Sequence, residues 1–189
     1  MKKIPLLTTL LTISLLFGAC SKDKEKENTT QEANSLLATN DIVLTSLNDK
    51  QFIIKKTDTG PKLQNAKGKV VIYDIFATWC PPCQAEASHL ASLQKKYKNK
   101  LIVIGVSVEH NVANKKLQEF REQHHADYTL VNSSANMRLI DTIAKQLHLG
   151  RDFGIPLMVM YKDGKLITYY QGATEEEFIE SDIKKALGI

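Results

Sequence analysis

Cys80 and Cys83 lie in the run Trp79-Cys80-Pro81-Pro82-Cys83, directly after the apolar stretch from Val70 to Ala77. Cysteines at this spacing can open and close a disulfide without moving the backbone, because positions i and i+3 share one face of a helix. The apolar stretch reads as a buried strand, which places Cys80 at the start of a helix. Unpaired N–H groups and the positive end of the helix dipole favour a thiolate there. A lowered thiol pKa makes Cys80 the nucleophile, and Cys83, one turn deeper and more buried, the resolving thiol. Pro81 and Pro82 suit a first helical turn, where the missing N–H groups would be unpaired anyway. They also withhold donors that could steady the thiolate, so a modest oxidising power is expected. The competing uses are a structural disulfide and half of a zinc site. Four-ligand zinc needs a second pair, which the chain lacks, and His89 is the only histidine near in sequence. Closing so short a loop adds little stability. Redox exchange is the reading that remains.

Two carboxyl groups fall close to these thiols. Asp74 interrupts the apolar strand, where a carboxylate is costly unless it is paired, hydrogen-bonded or neutral. Burial should raise its pKa, and near Cys83 it could accept that thiol's proton as the resolving step begins. The alternative is an Asp74 that faces a solvated cavity or bonds a lysine. Glu86, a turn beyond Cys83, either tunes the same thiols or is simply solvated.

The elements that must position these groups follow from periodicity. Residues 41–54 read as a hairpin around Leu47-Asn48-Asp49-Lys50, and residues 65–69 as a turn into the strand at 70–77. The helix after the cysteines carries Ala87, Leu90, Leu93 and Tyr97 on one face. A strand is expected from Leu101 to Val108, a helix marked by Ala113, Leu117 and Phe120, and a short strand at Tyr128–Val131. Leu139, Ile140, Ile143, Ala144 and Leu147 mark the next helix. Two strands then meet at Asp163-Gly164, a hairpin signal. Thr174 and Glu177 suggest a capping box for a last helix that buries Phe178, Ile179, Ile183 and Leu187. No internal repeat is present.

The start of the chain has a different character. Lys2 and Lys3, an apolar core from Ile4 to Phe17 and the small pair Gly18-Ala19 read as a signal peptide, residues 1–19. Leu16-Phe17-Gly18-Ala19-Cys20 resembles the lipobox of bacterial lipoproteins, with Phe17 where leucine is usual, and this implies lipidation of Cys20. The competing reading is an ordinary secretory signal with an incidental cysteine. Residues 20–40 are polar, carry both signs of charge and lack apolar periodicity, so a disordered tether is expected. The net charge of +4 falls to +2 once Lys2 and Lys3 are removed, and nothing suggests nucleic-acid binding. Residues 41–189 suit one domain.

Phe76-Ala77-Thr78-Trp79-Cys80-Pro81-Pro82-Cys83, with Glu86, Gly154-Ile155-Pro156, Asp163-Gly164 and Gly172, resembles the thioredoxin superfamily. The likeness is to its extracytoplasmic, membrane-tethered branch, which includes the TlpA, ResA and CcmG proteins. It implies an α/β thioredoxin-like fold with an N-terminal β-hairpin, a mixed sheet flanked by helices, and a central insertion at about 109–135. It implies a cis peptide at Ile155–Pro156, with Trp79, Ile155 and Pro156 in contact with substrate. It further implies a bacterial thiol–disulfide oxidoreductase, most readily a reductase of substrate proteins such as apocytochrome c, recharged by an upstream membrane thiol reductant. The expected protein is a monomer with no cofactor beyond its disulfide and no metal. It would be lipid-anchored and periplasmic, with Ser21 leaning towards the outer membrane. Three positions depart from the pattern. Asp74 is where cytoplasmic thioredoxins, rather than this branch, carry an aspartate. Leu157 replaces a common threonine, and Gln84 a frequent basic residue. Other functions considered are a peroxiredoxin-type peroxidase and a non-catalytic metal-handling or docking lipoprotein. Trp79 and the C-P-P-C spacing oppose the first. The lack of a wider cysteine spacing with a distant histidine opposes the second.

Overall fold

The computed structural model describes residues 40–150 and 152–189. The expected leader, Cys20 and the tether up to residue 39 lie outside the described residues. Strand β4 (Val70–Phe76) is buried at every position, because it has strands on both edges and helices or sheet on both faces. It pairs in parallel with β5 (Leu101–Ser107) and antiparallel with β7 (Leu157–Lys162). β6 (Thr129–Val131) extends the sheet in parallel beyond β5, and β8 (Lys165–Gln171) in antiparallel fashion beyond β7, giving the order β6-β5-β4-β7-β8. Asp163 and Gly164, both at positive φ, form the tight turn of the β7–β8 hairpin.

Alternation along β4 divides the core in two. Val70, Ile72 and Phe76 pack with Ala87, Leu90 and Leu93 of α1 (Pro81–Lys96) and with Ile179 and Ile183 of α4 (Glu176–Leu187). The same core takes in Leu117 and Phe120 of α2 (Asn114–Gln123). Val71, Tyr73 and Ile75 face the opposite way. They meet Leu139, Ile140 and Ile143 of α3 (Asn136–Gln146) together with the N-terminal strands. By this parity Asp74 belongs to the α1 face, the face of the cysteines. The α2–β6 excursion occupies the expected central insertion.

The expected N-terminal hairpin is larger than its sequence suggests. β1 (Ile42–Thr45) and β2 (Gln51–Thr57) pair as anticipated, and a third strand, β3 (Gly60–Leu63), adds to β2. Pro61 and a polar surround conceal β3 in the sequence; the proline is tolerated because β3 lies at the sheet edge. Gly60 is required at the turn. Its φ is +135°, and a Cβ there would stand 2.9 Å from both Gln146 and Tyr161.

The capping box is corrected. The N-cap of α4 is Glu175 and uses no side-chain cap. Thr174 instead turns its hydroxyl to the Gly172 carbonyl and gives its backbone N–H to the Glu86 carboxyl. Glu176 and Glu177 in the first turn supply the negative charge that a helix N-terminus favours. Phe178, expected in the core, is 65% exposed, since Ile179 and Ile183 already fill the inward stripe of this helix.

Candidate active site

The cysteine pair is set where β4 gives way to α1. Thr78 is pinned from both sides: its N–H and hydroxyl donate to Glu109 at 2.7 and 3.1 Å, and its carbonyl accepts from Gln84 Nε2 at 2.8 Å. Glu109 is in turn held by Lys116 Nζ at 2.8 Å and by Ser107. Burial raises the Glu109 pKa, but the bonds from Lys116 and Thr78 outweigh this and lower it overall. A charged Glu109 thus anchors the loop that presents Trp79 and Cys80.

Cys80 is the N-cap of α1, and Pro81 and Pro82 fill its first two turn positions. Cys80 and Cys83 are joined by a disulfide with a Cα–Cα distance of 5.3 Å. The N–H of Cys83 points at Cys80 Sγ from 3.3 Å, and the first turn of α1 holds no acidic residue. This is the donor that remains after two prolines have removed theirs. Both cysteines are buried, at 2% and 3% exposure, so the expected contrast in burial between them is absent. The reason lies on the Cys80 side: its sulfur is covered by the carbonyl oxygen of Ile155 at 3.8 Å. Ile155–Pro156 is a cis peptide, as expected. Trp79, 62% exposed, stands at the rim. From Trp79 and Ile155 an apolar groove of about 650 Å³ runs along Val108, Met137, Ile140 and Phe153.

The inner side is different. Asp74 is buried and accepts a hydrogen bond from the Tyr128 hydroxyl at 2.8 Å. Burial pushes its pKa up to about 7, against the lowering effect of that bond. The partner is therefore a tyrosine, neither the lysine nor the solvated cavity weighed from sequence. Glu86 is buried as well, which overturns the solvated alternative. Its Oε1 accepts the Thr174 N–H at 2.9 Å, while its Oε2 has no partner among the described residues. Burial first, and then the nearby Asp74, push its pKa up to about 8. An unpartnered buried carboxylate oxygen is costly, and a proton on Glu86 removes most of that cost. Among the described residues no group of three or more His, Cys, Asp or Glu side chains is placed to hold a metal ion.

Residues 54–187 match the Redoxin family. The chain belongs to the Redoxin family. The chain is 26% identical to the thiol-disulfide oxidoreductase ResA of Bacillus thuringiensis (strain Al Hakam), over 98% of each chain. A shorter stretch is 48% identical to the thioredoxin-like protein YneN of Bacillus subtilis, covering 28% of this chain and 32% of that protein. Among solved structures, a thioredoxin-family thiol:disulfide interchange protein from Chlorobium tepidum shares the fold with a TM-score of 0.62. It is 21% identical, over 79% of this chain and 95% of that one. A secreted Mycobacterium tuberculosis disulfide oxidoreductase homologous to E. coli DsbE superposes with a TM-score of 0.54 and 18% identity, over 76% and 94% of the two chains.

This Redoxin-family protein is a thiol–disulfide oxidoreductase, with Cys80 and Cys83 as its disulfide. The fold gathers Cys80, Cys83, Trp79, Ile155 and Pro156 on one side, while Asp74 lies on the α1 face of β4 and Glu86 on α1 close to it. Cys20 lies outside the described residues. Sequence reasoning missed Tyr128, Glu109 and Thr174. For Tyr128 a signal existed, since a buried phenol needs a partner. Its target, distant in the chain, could not be read.

Proposed function

We propose that the protein reduces disulfides of substrate proteins outside the cytoplasm, with Cys80 as attacking thiol and Cys83 as resolving thiol. The observation that carries this reading is the placement of Cys80: N-cap of α1, faced by the Cys83 N–H and lying against the Ile155 carbonyl. In the reduced enzyme the same N–H and the helix terminus would stabilise a Cys80 thiolate. The thiolate attacks one sulfur of the substrate disulfide, forming a mixed disulfide and releasing the first substrate thiolate. Asp74 takes the proton of Cys83. The Cys83 thiolate then attacks Cys80 Sγ, the second substrate thiolate leaves, and two electrons have passed from enzyme to substrate. The product enzyme is the disulfide state described above. A membrane thiol reductant would return it to the dithiol.

A substrate segment would lie along the rim, with its backbone beside Ile155 and Pro156 and its side chains on Trp79 and the apolar groove. Glu86, protonated at neutral pH, keeps a second negative charge away from the thiols. Support for an extracytoplasmic site comes from the leader-like residues 1–19 and from the secreted mycobacterial oxidoreductase that shares the fold. Cys20 would carry the lipid that tethers a monomeric domain to the cell envelope, the outer membrane being favoured by Ser21. Apocytochrome c is a substrate of suitable chemistry, because it presents thiols that must be kept reduced.

The deciding experiment is trapping. Cys83→Ser should accumulate mixed disulfides through Cys80; better trapping by Cys80→Ser would reverse the assignment. For the anchor, Cys20→Ala should move the protein from the membrane to the soluble fraction. Unchanged mass and membrane retention would refute lipidation.

A further inference from the structure

The inner side of the site contains one group with no role so far. Tyr128 precedes β6, in the insertion between β5 and α3, and is separated from Asp74 by 54 positions. Its side chain is buried, and its hydroxyl reaches Asp74 Oδ2. Gly105 makes that reach possible. It is the residue of β5 that pairs with Asp74. A Cβ on Gly105 would stand 2.7 Å from Leu130 Cδ2, 3.0 Å from Tyr128 Cε2 and 3.2 Å from Phe76 Cε1. The Tyr128 ring therefore crosses the sheet over bare backbone, and any side chain on Gly105 would push it away from Asp74. Arg121 Nη2 bonds the Tyr128 carbonyl at 3.1 Å and holds the residue from behind.

We propose that Tyr128 is the positioning residue of the proton acceptor: its hydroxyl holds one oxygen of Asp74 and leaves the other to take the Cys83 proton. This rests on the base role given to Asp74 above. The step balances simply. The proton passes from Cys83 Sγ to the free Asp74 oxygen, and the resulting thiolate attacks Cys80 Sγ. Tyr128 keeps its own proton throughout, because burial and then the charges of Asp74 and Glu86 hold its pKa well above the phenol range, Arg121 lowering it only in part. The other groups around Asp74 have been accounted for. Glu86 comes from α1 and Tyr128 from the β6 side, Cys83 lies in the core on the same face of β4, and the β5 and β7 neighbours are Gly105 and Met158, which do not titrate. A hydrogen bond given to the charged carboxylate favours ionisation, so its loss must move the Asp74 midpoint upwards from about 7.

The test uses the reduced protein and an aromatic disulfide whose two thiolates are coloured on release. The first release reports attack by Cys80 and the second reports resolution by Cys83. In Tyr128→Phe, which keeps the ring, the second release should slow about threefold to tenfold at pH 7 relative to the first. Its pH midpoint should rise by about one pH unit, with recovery in alkali. Asp74→Asn should slow the second release further and abolish the pH step. Adding Tyr128→Phe to Asp74→Asn should then change nothing more. Gly105→Ala, if folded, should reproduce the Tyr128→Phe midpoint. An Asp74→Asn variant with normal resolution would sink the base role, and this inference with it. Normal pH dependence in Tyr128→Phe, with Asp74→Asn impaired, would leave the base role standing and overturn the positioning role alone. An additional loss in the double variant would likewise assign Tyr128 a packing role and overturn it.

Discussion

The two sides of the Cys80–Cys83 bond are built from opposite materials. Outside, Trp79 is exposed, Pro81 and Pro82 face solvent, and the backbone carbonyl of Ile155 lies against the Cys80 sulfur. Inside, Asp74, Glu86 and Tyr128 are each less than a tenth exposed, and their polar atoms are drawn from α1, β4, the approach to β6 and the segment before α4. The outer side recognises by shape, apolar surface and backbone, which suits protein substrates of varied sequence. The inner side is the one suited to the proposed proton transfer, since a carboxyl buried away from water can hold a pKa near neutrality. On the proposed mechanism, one bond separates recognition from proton transfer.

The sharpest way to break this division is Asp74→Asn. Resolution by Cys83 should slow by about 10²-fold at pH 8, where the wild-type base is ionised, with trapping through Cys80 preserved. Below pH 7 the wild type should converge on the variant, because Asp74 is then protonated. Rapid-mixing kinetics across pH 5–9 checks both statements. An equal loss at all pH values would remove Asp74 from proton transfer.

A second test concerns stability. Asp74 and Glu86 have folded-state pKa values raised to about 7 and about 8, from ordinary values of 3.8 and 4.5. Their contribution is complete below the unfolded values and is lost as pH rises through the folded ones. The folded protein should therefore become less stable from about pH 4 to pH 8, by a few kcal/mol in all. Glu86→Gln should flatten the upper part of that slope. Glu109, Glu180 and Asp182, with lowered values, act in the opposite sense, but only as pH falls below the ordinary carboxyl range. Urea midpoints at a series of pH values measure the balance. Stability that rises between pH 5 and pH 8 would contradict the protonated pair.

The smallest effect is expected at the rim. Trp79→Ala should raise KM for a protein substrate several-fold, while unfolding free energy shifts by no more than about 0.5 kcal/mol, as for other exposed positions. A loss of kcat at unchanged KM would move Trp79 from recognition into the chemistry.

Much of this was present in local pattern. The C-x-x-C spacing after an apolar strand, the helical stripes at Leu90–Leu93 and Leu139–Ile143, and the Asp163-Gly164 turn are short-range signals, and each stands where periodicity put it. The misreadings have physical causes too. β3 was hidden because an edge strand tolerates Pro61 and needs few apolar residues. Thr174 looked like a helix cap because the capping pattern is local, whereas its N–H is taken by a carboxyl from another helix.

By itself the chain specified the Cys80–Cys83 pair and put Asp74 within an apolar strand just before it, since strand, turn and helix start are decided within a few residues. What Asp74 and Glu86 are bonded to was decided only by folding. Tyr128 reaches Asp74 across a glycine on the neighbouring strand, Glu109 clamps Thr78, and Thr174 meets Glu86 across 88 positions. These are one or two hydrogen bonds each, between segments distant in sequence, and they leave no periodic trace. Their partners are chosen by register and sheet order, which exist only once the whole domain has closed.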